Sequence, residues 1–128
     1  MDPRRLWRVA LLFVLAAGAV RADEPFPRIV LLVQNSPLAG FRYHAGAEVW
    51  RELRVGDRLE LAREPGNPHD ANAVAVLWRG RKLGYVPRSE NAALAWGLDR
   101  GTSLRARISS VLEHPNPARR IRFEVFVE

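Results

Sequence analysis

The end of the chain alternates. Leu104, Ala106, Ile108, Ser110 and Leu112 fall on one side of an extended backbone, and Ile121, Phe123, Val125 and Val127 do the same after a short polar interval. Strand side chains point to opposite faces with period two, so each stretch reads as a strand with one dry face. A hairpin around His114–Arg119 sets Ile108 opposite Val125 and Leu112 opposite Ile121, and both apolar sets then face one core. A slip of one residue would expose one of the two sets, so the pattern predicts this register.

The segments before it are shorter but of the same kind. Ile29–Val33 is a continuous apolar run between Pro27 and Pro37, which predicts a strand buried on both faces. Ala47–Leu53 predicts one or two helical turns, and Val55-Gly56-Asp57 a turn. Arg58–Arg63 alternates, with Leu59 and Leu61 inward. Pro65-Gly66-Asn67-Pro68 breaks the chain. Ala73–Trp78 resumes with Val74, Val76 and Trp78 on one face. Arg79-Gly80 turns it into the strand Lys82–Val86, which Pro87 ends. Ser89 is the expected N-cap of a helix from about Glu90 to Arg100, with Leu94, Ala95 and Leu98 buried and Gly101 just past its end. About six short strands with one or two short helices predict a mainly β domain, a small barrel-like sheet and not a βαβ array.

Residues 1–22 read as an address. Arg4, Arg5 and Arg8 precede twelve uncharged residues, Val9–Val20, and Val20-Arg21-Ala22 offers cleavage after Ala22. That is the layout of a signal peptide and implies an exported, periplasmic or secreted protein. Twelve residues rise about 18 Å as a helix, short of the ~30 Å hydrocarbon core, so a stable membrane span is not expected; an N-terminal membrane anchor is the alternative. Residues 23–28 are then a linker and 29–128 the domain. The whole chain carries +6, but residues 23–128 carry 16 basic and 13 acidic groups, or +3, and Lys82 is their one lysine. With no cysteine, disulfides, Cys-ligated zinc, iron–sulfur clusters and a thiol nucleophile are excluded.

Three polar clusters could carry chemistry. The densest runs from Arg63 to Val74 and holds Asn67, His69, Asp70 and Asn72 together with two prolines, Pro65 and Pro68. Its structural reading is a stiff loop whose Asn and Asp side chains bond nearby backbone amides. Its functional reading is a pocket wall that grips a hydroxyl or a base edge. The second is Gly40-Phe41-Arg42-Tyr43-His44, where aromatic rings beside a guanidinium suit single-stranded nucleic acid. The alternative is that Phe41 and Tyr43 pack on the sheet while Arg42 is solvated. In the third, Leu83 to Arg88, a strand either delivers Tyr85 and Arg88 to a site or simply ends with a half-buried Tyr. His44, His69 and His114 are too scattered for a metal, and no serine sits in a G-x-S-x-G setting. No Walker-type loop is present. His69 and Asp70 look like an acid/base pair, but neighbours on a strand point to opposite faces. No cofactor and no catalytic residue are therefore expected.

Taken in order, Gly40-Phe41-Arg42-Tyr43, then Leu61 to Val74 with Asn67-Pro68-His69-Asp70-Ala71-Asn72-Ala73 at its heart, then Leu83-Gly84-Tyr85-Val86-Pro87-Arg88 with Asn91, strongly resemble the HIRAN domain over about Ile29–Glu128. The resemblance implies an OB-like β-barrel with a helical insertion. It implies a module best known fused to SWI/SNF-type helicases and ubiquitin ligases, which captures single-stranded DNA by its 3′ end. By position, Arg42 and Tyr43 match the basic and aromatic members of the pocket, and His44 sits where an aromatic residue is common in DNA-binding members. Asn67 matches the loop asparagine, and His69 stands where Tyr is usual. Asp70 matches the acid that accepts the terminal hydroxyl, and Tyr85 and Arg88 match positions near the backbone phosphates. The ATPase and RING modules of larger members have no counterpart in these residues. The expected function is thus a non-enzymatic binder of single-stranded DNA ends. The alternatives are an exported domain that binds a protein or envelope polymer in the same groove, and a small hydrolase acting through His69 and Asp70.

Overall fold

A computed structural model describes residues 31–127. The signal segment 1–22, the linker 23–28 and the start of the first expected strand lie outside the described residues. Six strands, β1 (Leu31–Pro37), β2 (Arg58–Arg63), β3 (Val74–Trp78), β4 (Arg81–Tyr85), β5 (Leu104–Val111) and β6 (Ile121–Val127), form one antiparallel sheet in the order β1-β6-β5-β2-β3-β4. A one-turn helix, α1 (Gly46–Val49), follows β1, and α2 (Ala92–Asp99) lies between β4 and β5.

The sheet bends at β2. Arg58 and Leu59 pair with Arg107 and Ala106 of β5, while Glu60 to Arg63 pair with β3. The bend carries β4 round towards the far edge, yet the ladder does not close into the expected barrel. β1 ends at Pro37, and only the next segment reaches β4, through one isolated bridge in which Ala39 and Tyr85 exchange two 2.9 Å hydrogen bonds. Gly84 permits the approach, because a Cβ there would stand 2.3 Å from the Ala39 carbonyl oxygen. The turn from β3 to β4 has Arg79 at φ 49° and Gly80 at φ 79°, the left-handed pair that a two-residue hairpin needs.

The core is the alternation made solid. Leu59, Val74, Val76, Trp78, Leu83, Ala106, Ile108, Ile121, Phe123 and Val125 are buried, and Leu38, Phe41, Val49 and Leu53 cover them from the segment after β1. Each large apolar side chain fully removed from water contributes ~1.5–3 kcal/mol. Gly46 packs face-on against the Phe41 ring, since a Cβ there would come within 2.4 Å of it.

Three expectations are corrected. The β5–β6 register sets Ile108 opposite Phe123, not Val125, and a bulge between Ile108 and Ser110 then brings Val111, not Leu112, opposite Ile121. A shift of two residues keeps the same faces inward, which is why Ile108, Phe123 and Val125 are still core. The bulge adds the odd residue that turns Leu112 out to 51% exposure. The first strand is not buried on both faces. β1 is an edge strand paired only with β6, and Leu31 and Leu32 are 66% and 61% exposed. Ser89 is not an N-cap: Arg88–Glu90 form a 3-10 turn and Asn91 stands at the cap position of α2. The far end of α2 is as expected, with Gly101 at φ 78° and the Thr102 and Gly101 amides donating to the Gly97 and Leu98 carbonyls.

Candidate nucleic-acid interface

The loop between β2 and β3 is a chain of turns. The amides of Asn67, Asp70 and Ala73 donate to the carbonyls three residues back, and Glu64 N–H closes the loop on the Ala73 carbonyl. Each corner is fixed by its own side chain. Asn67 Oδ1 accepts from His69 N–H, and Asp70 Oδ1 from Asn72 N–H, both at 2.9 Å. Arg63 ties the loop down: Nη1 and Nη2 donate to the carbonyls of Ala73 and Ala71, and Nε pairs with Asp99 at the end of α2 at 2.9 Å. The structural reading of this loop therefore holds at Asn67 and Asp70.

The same loop forms one wall of a concave pocket of about 570 Å³. Asn67, His69, Asp70 and Ala73 line it from the loop, and Tyr43 and His44 from the turn after β1. Ala39 and Tyr85 line it from the seam between β1 and β4, and Val86 and Arg88 from the segment leading to α2. Seven of the eight residues singled out in the sequence thus face one hollow. Arg42 does not line it; its guanidinium lies 5.5 Å from the Tyr43 ring centre, on the exposed side of the turn. Phe41 packs into the core as the structural reading held, but Tyr43 is 77% exposed. His69 and Asp70 are both on the pocket wall, contrary to the opposite faces expected of a strand, because they belong to a turn.

Asp70 is held in place from two sides. Asn91, 2% exposed, donates Nδ2 to Asp70 Oδ2 at 2.6 Å. The Asn72 amide, then Asn91, then the nearby Arg88 and Arg63 charges hold the Asp70 carboxyl below the usual carboxylate range. Arg88 itself makes no hydrogen bond or ion pair among the described residues. Among them, too, no three His, Asp or Glu side chains converge as a metal would require.

Sequence reasoning did not find the network behind the wall. Lys82 Nζ donates to Glu64 Oε2 at 2.5 Å and to the Tyr85 hydroxyl at 3.0 Å. Tyr85 donates to Glu64 Oε1 at 2.8 Å, as does Asn67 Nδ2 at 3.2 Å. His44 meets the Tyr85 ring edge-on at 5.5 Å. Partial burial and the Lys82 charge lower the His44 pKa, so its ring is neutral at pH 7. The one available signal was Lys82 itself, the sole lysine of residues 23–128 among arginines.

This network makes stability depend on acid. Lys82 holds the Glu64 carboxyl below its ordinary 4.5, so the group stabilises the fold above that pH and the contribution is lost as pH falls through the lowered folded value. A Glu64→Gln protein is expected to melt lower than the unsubstituted one at pH 7 and to lose less between pH 5 and pH 3. Parallel acid-limb slopes in thermal melts would overturn this.

The sequence pattern of the HIRAN domain family matches residues 31–128. The rabbit (Oryctolagus cuniculus) helicase-like transcription factor is 30% identical over 79 residues, 61% of this chain. A Fanconi-associated nuclease 1 homolog from rice (Oryza sativa subsp. japonica) is 36% identical over 73 residues, 54% of this chain. The match spans about 7% of the length of each of these relatives. Among solved structures, a Lactobacillus plantarum protein superposes with TM-score 0.66 at 26% identity, over 77% of this chain and 95% of that one. The HIRAN domain of human HLTF superposes with TM-score 0.59 at 21% identity, over 77% and 78%, and shares the fold.

Proposed function

Because the chain belongs to the HIRAN domain family, we propose that it is a non-enzymatic module that binds single-stranded DNA at a free 3′ end. The observation that carries this reading is the pocket in which four rings (Tyr43, His44, His69 and Tyr85), an oriented carboxylate and a guanidinium with no hydrogen bond or ion pair among the described residues meet. Tyr43 and His69 offer stacking faces for the terminal bases, worth ~1–3 kcal/mol per base. Asp70 accepts a hydrogen bond from the terminal hydroxyl on a lone pair its two partners leave open, and its negative charge repels a phosphate in that place. Arg88 at the rim pairs with a backbone phosphate, and Arg42 meets the strand just outside. The relatives' names support the reading, since a helicase-like factor and a nuclease both handle nucleic acid. Export through the N-terminal segment is part of the proposal, and fractionating cells for a shortened periplasmic or secreted form tests it.

Fluorescence anisotropy with short oligonucleotides tests the binding. A 3′-hydroxyl end is expected to bind at least about tenfold more tightly than a 3′-phosphate end, and both affinities to fall as salt rises. Equal affinity for the two ends would remove the end-reading role.

A further inference from the structure

We propose that a second cleft, beside Trp50, takes nucleotides of the same strand on the 5′ side of the end held in the Asp70 pocket. The inference rests on the binding reading above. The cleft has a volume of about 320 Å³ and is lined by Trp50, Arg51, Leu53, Arg54, Val111 and Glu113. Trp50 is half-buried, and two guanidiniums approach its ring, Arg120 at 4.9 Å and Arg51 at 5.9 Å from the centre. Arg54 spends Nη1 on the carbonyls of Arg51 and Leu53, and Arg120 spends Nε on that of His114. Their other guanidinium N–H groups, and all of Arg51's, make no hydrogen bond or ion pair among the described residues.

One stretch of chain supplies residues to both hollows. Tyr43 belongs to the 3-10 turn Phe41–Tyr43, which runs on through α1 into a second 3-10 turn, Trp50–Glu52. The turn Pro117–Arg119 packs on the first of these and delivers Arg120 to Trp50. Arg42, Arg119, Arg120, Arg51 and Arg54 lie on or beside these linked turns. Of the acids on these segments, Glu48 is engaged by Arg81, which leaves Glu52 and Glu113 against five arginines. A half-buried indole with forked cations near it repeats the chemistry of the first pocket, an aromatic ring beside phosphate-holding groups.

Oligo-dT of 3 and of 12 nucleotides, both with a free 3′-hydroxyl, separates the two sites. The full chain is expected to bind the 12-mer more tightly than the 3-mer. Arg51→Gln with Arg54→Gln should weaken the 12-mer about tenfold and flatten its logarithmic salt dependence by about 1.4, at about 0.7 per phosphate contact, while leaving the 3-mer unchanged. Arg51→Gln alone, whose guanidinium makes no hydrogen bond, and Trp50→Phe keep the test decisive if the double variant melts early; each should weaken only the 12-mer. Equal binding of both lengths, or equal weakening of both by the variants, overturns the second site and leaves the end pocket standing. Failure of the unsubstituted protein to bind either length overturns the end-binding reading and this inference with it. Polyglutamate that binds in an Arg51-dependent way and is not displaced by the 12-mer would give the cleft to an acidic polypeptide and also overturn the inference.

Discussion

An Asp70→Asn protein is expected to bind oligonucleotides ending in 3′-hydroxyl and 3′-phosphate with equal affinity, where the unsubstituted protein is expected to favour the hydroxyl at least about tenfold. The substitution removes a charge and little else. Asn at this position keeps an oxygen for the Asn72 amide, and Asn91 can turn its amide to accept where it now donates. The loop's other turns, closed by backbone bonds and by Arg63, do not involve the carboxylate charge. In the unsubstituted protein that charge is permanent near neutrality, because its pKa is held low by the amides it accepts from and the arginines beside it. A terminal phosphate placed there meets like charge, and a hydroxyl meets an acceptor. Anisotropy titrations at one fixed salt concentration check this, and a hydroxyl preference that persists in Asp70→Asn would refute Asp70 as the discriminating group.

Gly84→Ala is expected to destabilise the domain by about 3 kcal/mol, the upper part of the range for forcing a methyl group into packed structure. The added Cβ would lie 2.3 Å from the Ala39 carbonyl oxygen, which is backbone and cannot swing away as a side chain could. That oxygen also accepts the Tyr85 amide, so relief of the clash costs the bridge. For a domain of about 100 residues the melting temperature should drop by roughly 15 °C. End binding should weaken with it, since Ala39 and Tyr85 are pocket walls. Gly66→Ala is the control: its Cβ meets nothing within 4 Å and its backbone is not left-handed. A melting temperature for Gly84→Ala within two or three degrees of the control would contradict the close approach.

Much of this fold is written locally. β2 could be read because Leu59 is buried between exposed Arg58 and Glu60, and β3 because Val74, Val76 and Trp78 recur with period two. The loop could be read because Asn67 and Asp70 bond amides two residues on, a contact that needs no knowledge of the rest of the chain. The β5–β6 register could not, since nothing in Ser109-Ser110 announces a bulge and alternation fixes a face but not a partner. An unbroken apolar run such as Leu31-Leu32-Val33 looks alike whether neighbours cover it or it lies at an edge. Tyr43 and Arg42 part company because successive residues of a 3-10 turn point about 120° apart, so only one of them can face the pocket. The Glu64, Lys82 and Tyr85 network joins residues 18 and 21 positions apart, and only the folded sheet brings them together.

The pocket sits astride the place where the sheet stops short of closing. Two hydrogen bonds between Ala39 and Tyr85 hold that seam, and a ligand in the hollow touches both of its sides. Occupancy and local opening are then thermodynamically reciprocal: whatever factor a bound end adds to the protection of the Ala39 and Tyr85 amides against hydrogen exchange, opening the seam subtracts from affinity. The two amides would therefore report on ligand from the backbone, with no probe attached to either molecule.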